Sequence, residues 1–295
     1  MSPARQTKVL ITGARGQVGQ ELQATAPARW RVVACGSKEL DVTRPEAVRT
    51  IIERERPDLV IQAAAYTDVD GAEREAERAE AVNRTGAANV AEAVTRVGAR
   101  MIHISTDFVF DGRQGRPYAP DDTATPACVY GRTKLAGERE VTRATDGKAL
   151  IVRTAWVYSA YGQNFVRTML SLMRERDSVG VVCDQVGTPT WGHTLGEALW
   201  CAAERPELRG VLHWTDAGVA SWYDFAVAIQ EEALALGLLT RAVPITPLRS
   251  DEFPSLAQRP AYSVLDKTSG WAALGLPVRH WRENLRTMLR ELASA

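Results

Sequence analysis

The sequence predicts an α/β protein built on a doubly wound parallel sheet with helices on both faces. Short apolar segments alternate with helical patterns as far as Arg153, which is the arrangement typical of a parallel sheet. The first apolar segment runs straight into a glycine-rich turn, and helical patterns dominate after Arg153. We therefore predict one domain over residues 1–153 and a smaller, mainly helical lobe over residues 154–295, with an interleaved border.

Residues 8–12 form the first predicted strand, and a glycine turn and a helix follow it directly. This order is the context that a dinucleotide-binding Rossmann motif requires. Gly13 permits the tight turn, Gly16 lets the backbone approach a pyrophosphate, and Gly19 lets the helix pack closely on the sheet. The free N–H groups at the start of the helix suit phosphate oxygens. An ordinary turn is the alternative, because turns also collect glycine.

The second predicted strand, residues 31–34, ends without the acidic residue that holds the ribose 2′-hydroxyl of NAD. Ser37 and Lys38 follow it and suit a 2′-phosphate, which favours NADPH as the cofactor. Lys38 is also explained as a solvated loop charge, and the nearby Glu39 keeps NADH as an alternative.

Two further predicted strands end in residues suited to a ligand. Residues 59–67 run into small side chains that let a flat cofactor lie against the backbone, although close packing explains them equally well. Residues 101–105 lead directly to Thr106. Because doubly wound sheets bind ligands beyond the carboxyl ends of their strands, we expect the Thr106 hydroxyl to contact a substrate carbonyl.

A later helix carries Tyr130 and Lys134 four residues apart, so that both side chains lie on one face. The pKa of a free tyrosine is about 10, and a nearby cation favours the phenolate, so we expect Lys134 to lower the pKa of Tyr130. Such a tyrosine serves as a general acid or base. The same spacing occurs by chance on solvated helices, and the glycine turn is what favours the catalytic interpretation.

Together these motifs resemble the extended short-chain dehydrogenase/reductases, and within them the family of dTDP-4-dehydrorhamnose reductases. The resemblance covers nearly the whole chain and comprises residues 13–19, 63–70, 105–112, 129–138, 153–158, 164–165, 184–190 and 259–260. It implies NAD(P)H-dependent reduction of the C4 ketone of a dTDP-4-keto-6-deoxyhexose. The implied reaction converts dTDP-4-dehydro-L-rhamnose to dTDP-L-rhamnose for cell-surface polysaccharide, with residues 154–295 as the substrate-binding lobe.

The same resemblance implies roles for individual residues. Tyr130 is the proton donor and also contacts the cofactor. Lys134 holds the nicotinamide ribose and tunes the tyrosine, and Thr106 replaces the serine of most relatives. The residues implied to line the cofactor are Gly16, Gln17, Val18, Asp41, Val42, Ala65, Tyr66 and Thr67, and those implied to contact the sugar nucleotide are Thr106, Asp107 and Trp156. Most other tryptophans are expected in the core or between the lobes.

Arg259 and a family metal site complete the candidate residues. Arg259 suits the substrate diphosphate through its bidentate fork, and a surface salt bridge is the alternative. Magnesium-binding members of the family use a glutamate after the glycine loop, which Glu21 matches, and a second glutamate that His193 replaces here. Magnesium prefers oxygen ligands, so we expect no metal site.

Composition limits the partners. Lys plus Arg equals Asp plus Glu at 36 each, which implies no nucleic-acid partner. The four cysteines show no Cys-x-x-Cys pair, as expected of reduced thiols. Residues 1–7 form a short polar leader, and no stretch approaches the ~20 apolar residues of a membrane span. We expect a cytoplasmic monomer or homodimer that binds a nucleotide sugar and no membrane.

Two other functions stay open. One is a sugar-nucleotide epimerase, or another dTDP-deoxysugar reductase with the same catalytic residues. Dehydratases of the superfamily have Asp-Glu after the active-site threonine, and Phe108 in the place of the glutamate disfavours dehydration. The other is a non-catalytic subunit resembling the regulatory subunit of methionine adenosyltransferase. The complete set of Thr106, Tyr130 and Lys134 argues against it.

Overall fold

The structure is a computed structural model that describes residues 6–294, so most of the predicted polar leader lies outside the described residues. The strands are β1 (Thr7–Thr12), β2 (Trp30–Cys35), β3 (Leu59–Gln62), β4 (Arg100–Thr106), β5 (Leu150–Thr154), β6 (Val157–Tyr158), β7 (Val179–Val182), β8 (Val186–Gly187), β9 (Thr190–Trp191), β10 (Gly210–His213), β11 (Ala220–Ser221) and β12 (Ile245–Leu248). The α-helices are α1 (Gln17–Ala24), α2 (Pro45–Glu55), α3 (Val69–Arg74), α4 (Ala76–Glu80), α5 (Gly86–Val97), α6 (Val129–Ala144), α7 (Phe165–Glu175), α8 (Gly192–Ala203), α9 (Trp222–Ala235), α10 (Thr268–Leu274) and α11 (Trp281–Ser294). A π-helical turn covers Ala81–Thr85, and 3₁₀ turns cover Asp107–Val109 and Ser250–Glu252.

The central sheet has six strands in the order β10-β5-β4-β3-β1-β2, and every neighbouring pair is parallel. The chain moves from β1 outward to β2 and then returns to the other side of β1 for β3. Such a reversal opens a crevice at the carboxyl ends of the strands. The predicted doubly wound α/β fold is confirmed, and each of the first four predicted strands overlaps one of the strands β1 to β4.

The third strand is shorter than the sequence suggested, because it ends at Gln62 and not at Thr67. The side chain of Asn83 supplies the hydrogen bonds that a neighbouring strand would otherwise provide. Its Oδ1 accepts the Tyr66 N–H at 2.8 Å, and its Nδ2 donates to the Tyr66 carbonyl at 3.1 Å. The segment after β3 is therefore free to line the crevice.

Helices cover both faces of the sheet. On one face α1 packs against α8, where the indole N–H of Trp200 donates to the Leu22 carbonyl at 3.0 Å. On the other face α2, α5 and α6 bury Val48, Val90 and Val141 against the strands. No helix within residues 6–294 combines the length and the apolar character needed to cross a membrane.

The carboxyl-terminal half builds a second apolar core and also returns to the sheet. Helices α7, α9 and α11 enclose Met173, Phe225 and Leu285. The same half supplies β10 and α8, which pack with the sheet and with α1. The division into residues 1–153 and 154–295 stays a prediction.

Candidate active site

A cavity of about 250 Å³ lies at the carboxyl ends of the central strands. Its wall combines the start of α1, the segment after β3, the ends of β4 and β5, and the first turns of α6. The predicted site residues that line it are Gln17, Val18, Ala65, Thr67, Thr106, Asp107, Tyr130, Lys134, Trp156 and Arg259. The predicted site residues outside this lining are Gly13, Gly16, Gly19, Ser37, Lys38, Asp41, Val42 and Tyr66.

The glycine turn has a backbone geometry that larger residues would disrupt. Gly13 has a φ of +65°, and a Cβ there would lie 2.6 Å from backbone atoms of Ala64. A Cβ on Gly19 would lie 2.3 Å from the Gly13 carbonyl oxygen. The N–H of Gly16 donates to that carbonyl at 2.9 Å, and α1 begins one residue later. This geometry explains the turn and the close packing, and a pyrophosphate contact at Gly16 stays a prediction.

The loop after β2 carries the residues proposed to distinguish NADPH from NADH. Ser37 and Lys38 are exposed. Glu39 is engaged on both carboxylate oxygens, because it accepts the Gly36 N–H at 3.0 Å and a guanidinium N–H of Arg15 at 2.6 Å. Arg15 therefore adds a cation beside this loop. The sequence analysis missed it, although a basic residue between the first two glycines was the available signal.

Three other predicted cofactor residues have side chains engaged within the protein. Asp41 accepts the N–H and the hydroxyl of Thr43 at 3.0 and 2.7 Å. Val42 is buried in the apolar cluster beneath α2 and α5. The hydroxyl of Tyr66 donates to Glu75 at 2.7 Å. Contact of these three residues with a cofactor stays a prediction.

Tyr130 lies in the first turn of α6, and close packing fixes where that helix begins. The sulfur of Cys128 accepts the Gly131 N–H at 3.4 Å. A Cβ on Gly131 would lie 2.1 Å from the Phe108 carbonyl oxygen, so the helix packs directly on the turn after β4. The rings of Phe108 and Tyr130 meet edge to face with centroids 5.6 Å apart. Tyr130 is thereby held in the wall of the cavity.

The expectation that Lys134 lowers the pKa of Tyr130 is wrong for this structure. Burial raises the pKa of Tyr130 above its usual value; the Thr106 hydroxyl opposes this rise and the Asp107 carboxyl adds to it. The ammonium of Lys134 donates to the Ile104 carbonyl at 2.7 Å, and burial lowers the pKa of Lys134 to about 8. Tyr130 is consequently protonated at neutral pH, which suits a proton donor.

A buried ion pair between Arg153 and Glu138 holds the helix that carries Tyr130 and Lys134 in position. Arg153 on β5 donates to both carboxylate oxygens of Glu138 on α6, at 2.9 and 2.7 Å. The hydroxyl of Ser105 on β4 donates to the same carboxylate. Bidentate pairs of this kind fix geometry as well as charge. They hold α6 against the two strands that end beside the cavity, and the sequence analysis assigned them no role.

Thr106 and Asp107 present polar atoms to the cavity. The Thr106 hydroxyl donates to one Asp107 oxygen at 3.0 Å and accepts the Phe108 N–H at 3.2 Å. The other Asp107 oxygen is buried and has no hydrogen-bond partner within residues 6–294. Burial raises the pKa of Asp107 to about 6, and the hydroxyls of Ser263 and Thr106 oppose that rise. A sugar hydroxyl would satisfy such an oxygen. Ser263 is a further residue that the sequence analysis missed.

Trp156 has an unusual backbone and an aromatic partner. Its φ is +47°, which is uncommon for a residue with a side chain. Its indole stacks on Trp222, with centroids 3.5 Å apart and planes 3° from parallel. Trp222 also lines the cavity, a position that its apolar helical pattern did not reveal.

A second cavity of about 710 Å³ adjoins the first. Both cavities are lined by Thr67, Val69, Trp222 and Arg259. Helix α7 and strand β7 give the larger cavity a mainly apolar wall. Arg259 stands at the junction, where its guanidinium pairs with Asp70 at 2.8 Å.

The residues that the resemblance assigns to a magnesium site, Glu21 and His193, do not fit that metal. The two ring nitrogens of His193 face carboxylates, with Nδ1 3.6 Å from Glu21 and Nε2 3.7 Å from Glu197. Glu21 is the leading cause that raises the pKa of His193 against the effect of burial. A ring with both nitrogens facing anions suits a bound proton better than a metal. In the described part of the chain, no three His, Cys, Asp or Glu side chains cluster as metal ligands.

Enzymes of the short-chain dehydrogenase/reductase type share this fold and place a tyrosine, a lysine and a hydroxyl group beside the cofactor. The fold and the cavity therefore define the protein as an NAD(P)H-dependent oxidoreductase of that class. The family model described as "RmlD substrate binding domain" matches residues 7–294. The chain belongs to this family.

Individual relatives agree with this assignment. The chain is 44% identical to dTDP-4-dehydrorhamnose reductase of Mycobacterium tuberculosis, covering 99% of this chain and 95% of the relative. It is 41% identical to spore coat polysaccharide biosynthesis protein SpsK of Bacillus subtilis, covering 98% and 99%. A crystal structure of dTDP-4-dehydrorhamnose reductase from Bacillus anthracis in complex with NADP is 36% identical, with a TM-score of 0.91 and coverage of 97% and 99%. The resemblance predicted from the motifs is confirmed.

Proposed function

We propose that this protein uses NADPH to reduce the C4 ketone of a dTDP-4-keto-6-deoxyhexose, converting dTDP-4-dehydro-L-rhamnose to dTDP-L-rhamnose for cell-surface polysaccharide. The observation that carries the proposal is the convergence of Thr106, Tyr130 and Lys134 on one cavity beside the glycine turn. The names of the relatives support the same substrate.

The cofactor fits the residues at the start of α1. The close turn at Gly13 leaves no room for a side chain, and the buried side-chain oxygen of Gln17 has no partner within residues 6–294. Gln17, Val18 and Ala65 would hold the nicotinamide half, and Arg15 would meet the 2′-phosphate. The bound cofactor supplies a hydride from the nicotinamide C4 to the ketone carbon.

Tyr130 supplies the proton for this reduction. Negative charge builds on the ketone oxygen as the carbon becomes tetrahedral, and a positioned acid lowers the energy of that state. Burial keeps the proton on Tyr130 until then. Thr106 holds the oxygen by a hydrogen bond, and Lys134 would hold the nicotinamide ribose of the cofactor.

The two cavities divide the substrate between them. The hexose occupies the smaller one, where Asp107 and Trp156 contact it, and the nucleoside occupies the larger, mainly apolar one. Arg259 at their junction meets the diphosphate, since a guanidinium binds phosphate oxygens in pairs. Most residues that line the larger cavity belong to the proposed substrate-binding lobe, residues 154–295.

We also propose that the enzyme works in the cytoplasm. All four cysteines are unpaired, as is usual where glutathione keeps thiols reduced: Cys35, Cys128, Cys183 and Cys201.

Loss of reduced-nicotinamide absorbance tests the proposal. Purified protein should oxidise NADPH only when dTDP-4-dehydro-L-rhamnose is present, and mass spectrometry should find dTDP-L-rhamnose as the product. A UDP-linked 4-keto sugar serves as the control for the nucleotide. Absence of NADPH oxidation with the dTDP sugar, or faster turnover with the UDP sugar, would contradict the proposed substrate.

A further inference from the structure

Asp70 on α3 is the most heavily engaged surface carboxylate near the two cavities. Its Oδ1 accepts the hydroxyl of Ser255 at 2.9 Å and the N–H groups of Leu256 and Ala257 at 3.0 Å each. Its Oδ2 accepts a guanidinium N–H of Arg259 at 2.8 Å. One side chain thus fastens a distant segment, residues 255–259, to α3.

The pair with Asp70 leaves part of the Arg259 fork available. Nη2 is committed to Asp70, and Nε makes a longer contact of 3.4 Å with Ser255. Nη1 has no hydrogen-bond partner within residues 6–294, while the side chain is 26% exposed and lines both cavities. A guanidinium held in this way is oriented before a ligand arrives, which reduces the entropy lost on binding.

Helix α3 also anchors the start of the helix that carries Tyr130. The Asp68 side chain caps α3 by accepting the Gly71 N–H at 2.8 Å. Glu73, one turn after Asp70, accepts the N–H of Val129 at 2.7 Å. Helix α3 therefore holds both Arg259, through Asp70, and the first turn of α6, through Glu73.

We propose that Asp70 is a positioning residue that orients Arg259, so that the free edge of its guanidinium receives the substrate diphosphate while the ketone reaches Tyr130. This inference rests on the proposed function. Burial acts to raise the pKa of Asp70, but hydrogen bonds from Ala257, Ser255 and Arg259 outweigh it, so the carboxylate stays ionised at neutral pH. The hydrogen bonds that Oδ1 accepts from residues 255–257 partly neutralise the Asp70 carboxylate, which reduces its repulsion of the diphosphate.

Asp70→Asn tests the proposal, because it keeps an oxygen for the loop N–H groups and removes the anion that orients Arg259. We expect the Kd of dTDP and the KM of the keto sugar to rise about tenfold, the loss typical of a hydrogen bond to a charged group. kcat and the KM for NADPH should stay within about twofold of wild type, since Asp70 contacts neither reacting group.

Asp184→Asn is the matched control. Asp184 anchors Ser250, five residues before the segment that Asp70 holds, by accepting its N–H at 3.0 Å and its hydroxyl at 2.6 Å. Ser250 lines the larger cavity, so this variant loosens the cavity wall without changing the charge that pairs with Arg259. If Asp70 only anchored the loop, both variants would weaken dTDP binding alike. Equal Kd values for the two variants would overturn the proposal.

A double-mutant cycle gives the second readout. Because Asp70 acts through Arg259, Asp70→Asn should add less than about twofold to the dTDP Kd of Arg259→Ala. Effects that multiply would overturn the proposal. Should Asp70→Asn fail to fold, Asp70→Glu displaces the guanidinium without removing the charge and carries the same expectation. If the wild-type protein binds dTDP but does not reduce the keto sugar, the proposed function is contradicted. If the wild-type protein is fully active and Asp70→Asn has the same Kd for dTDP and the same KM for the keto sugar, only this inference is contradicted.

Discussion

Replacing Tyr130 by phenylalanine removes one oxygen atom and leaves the rest of the cavity in place. The ring keeps its edge-to-face contact with Phe108 at 5.6 Å, and the Cys128 contact that starts α6 does not involve the hydroxyl. The variant loses the proton that burial holds on the wild-type side chain. General acid catalysis by a positioned group contributes about 10²–10⁴ in rate, so kcat should fall by that factor, or about 3–5 kcal/mol in the barrier.

The assay is NADPH oxidation at saturating keto sugar, with the Kd of NADPH measured separately by its fluorescence. That Kd should change by less than about threefold, because Tyr130 is only one of many predicted cofactor contacts and the variant keeps its ring. Tyr223→Phe is the matched control, since Tyr223 lies on α9 outside the lining of both cavities, and it should keep wild-type turnover. Full activity in Tyr130→Phe, with a normal melting temperature, would refute the assignment of the proton donor.

Four further predictions concern charged or titratable groups. Lys134→Met should weaken NADPH binding and lower kcat, each by about tenfold, because a buried charged donor is lost; unchanged kinetics would contradict its role. Burial lowers the pKa of Lys134 to about 8, so the ammonium is lost as the pH rises through that value. Wild-type kcat/KM, which reports ionisations of the free enzyme, should decline there, and a flat pH profile would argue against the ammonium. Burial raises the pKa of Asp107 from 3.8 to about 6, so ionisation of Asp107 destabilises the fold as the pH rises through about 6. The free energy of unfolding of Asp107→Asn relative to wild type should therefore increase by up to about 3 kcal/mol from acid to neutral pH, as followed by urea denaturation; a constant difference would exclude this ionisation. Arg15→Ala should raise the KM for NADPH several-fold and leave the KM for NADH nearly unchanged. Equal increases in the two KM values would show that Arg15 does not bind the 2′-phosphate.

Local patterns predicted the parts of the site that depend on neighbours in sequence. The glycine turn after β1 was predictable because Gly13 and Gly19 occupy positions where a Cβ would collide with backbone atoms. Tyr130 and Lys134 share a face because they lie one helical turn apart on α6. Thr106 lies at the cavity because it ends a buried parallel strand.

Long-range contacts were not predictable from those patterns. Asp70 and Arg259 are 189 positions apart, and no spacing rule relates them. From the sequence, Trp222 is an ordinary apolar position of α9, and only the structure shows that it stacks on Trp156. The pKa of Tyr130 was mispredicted because burial, which spacing does not report, outweighs the effect of a lysine whose ammonium is bonded to a backbone carbonyl.

Direct hydride transfer to the sugar is the central claim, and isotope labelling tests it most directly. NADPH carrying deuterium at both C4 positions of the nicotinamide ring should be turned over with dTDP-4-dehydro-L-rhamnose, and the product examined by proton NMR. We predict one deuterium at C4 of the hexose, with the C4 proton signal absent. A product that keeps protium at C4, or deuterium at another ring carbon, would contradict the account.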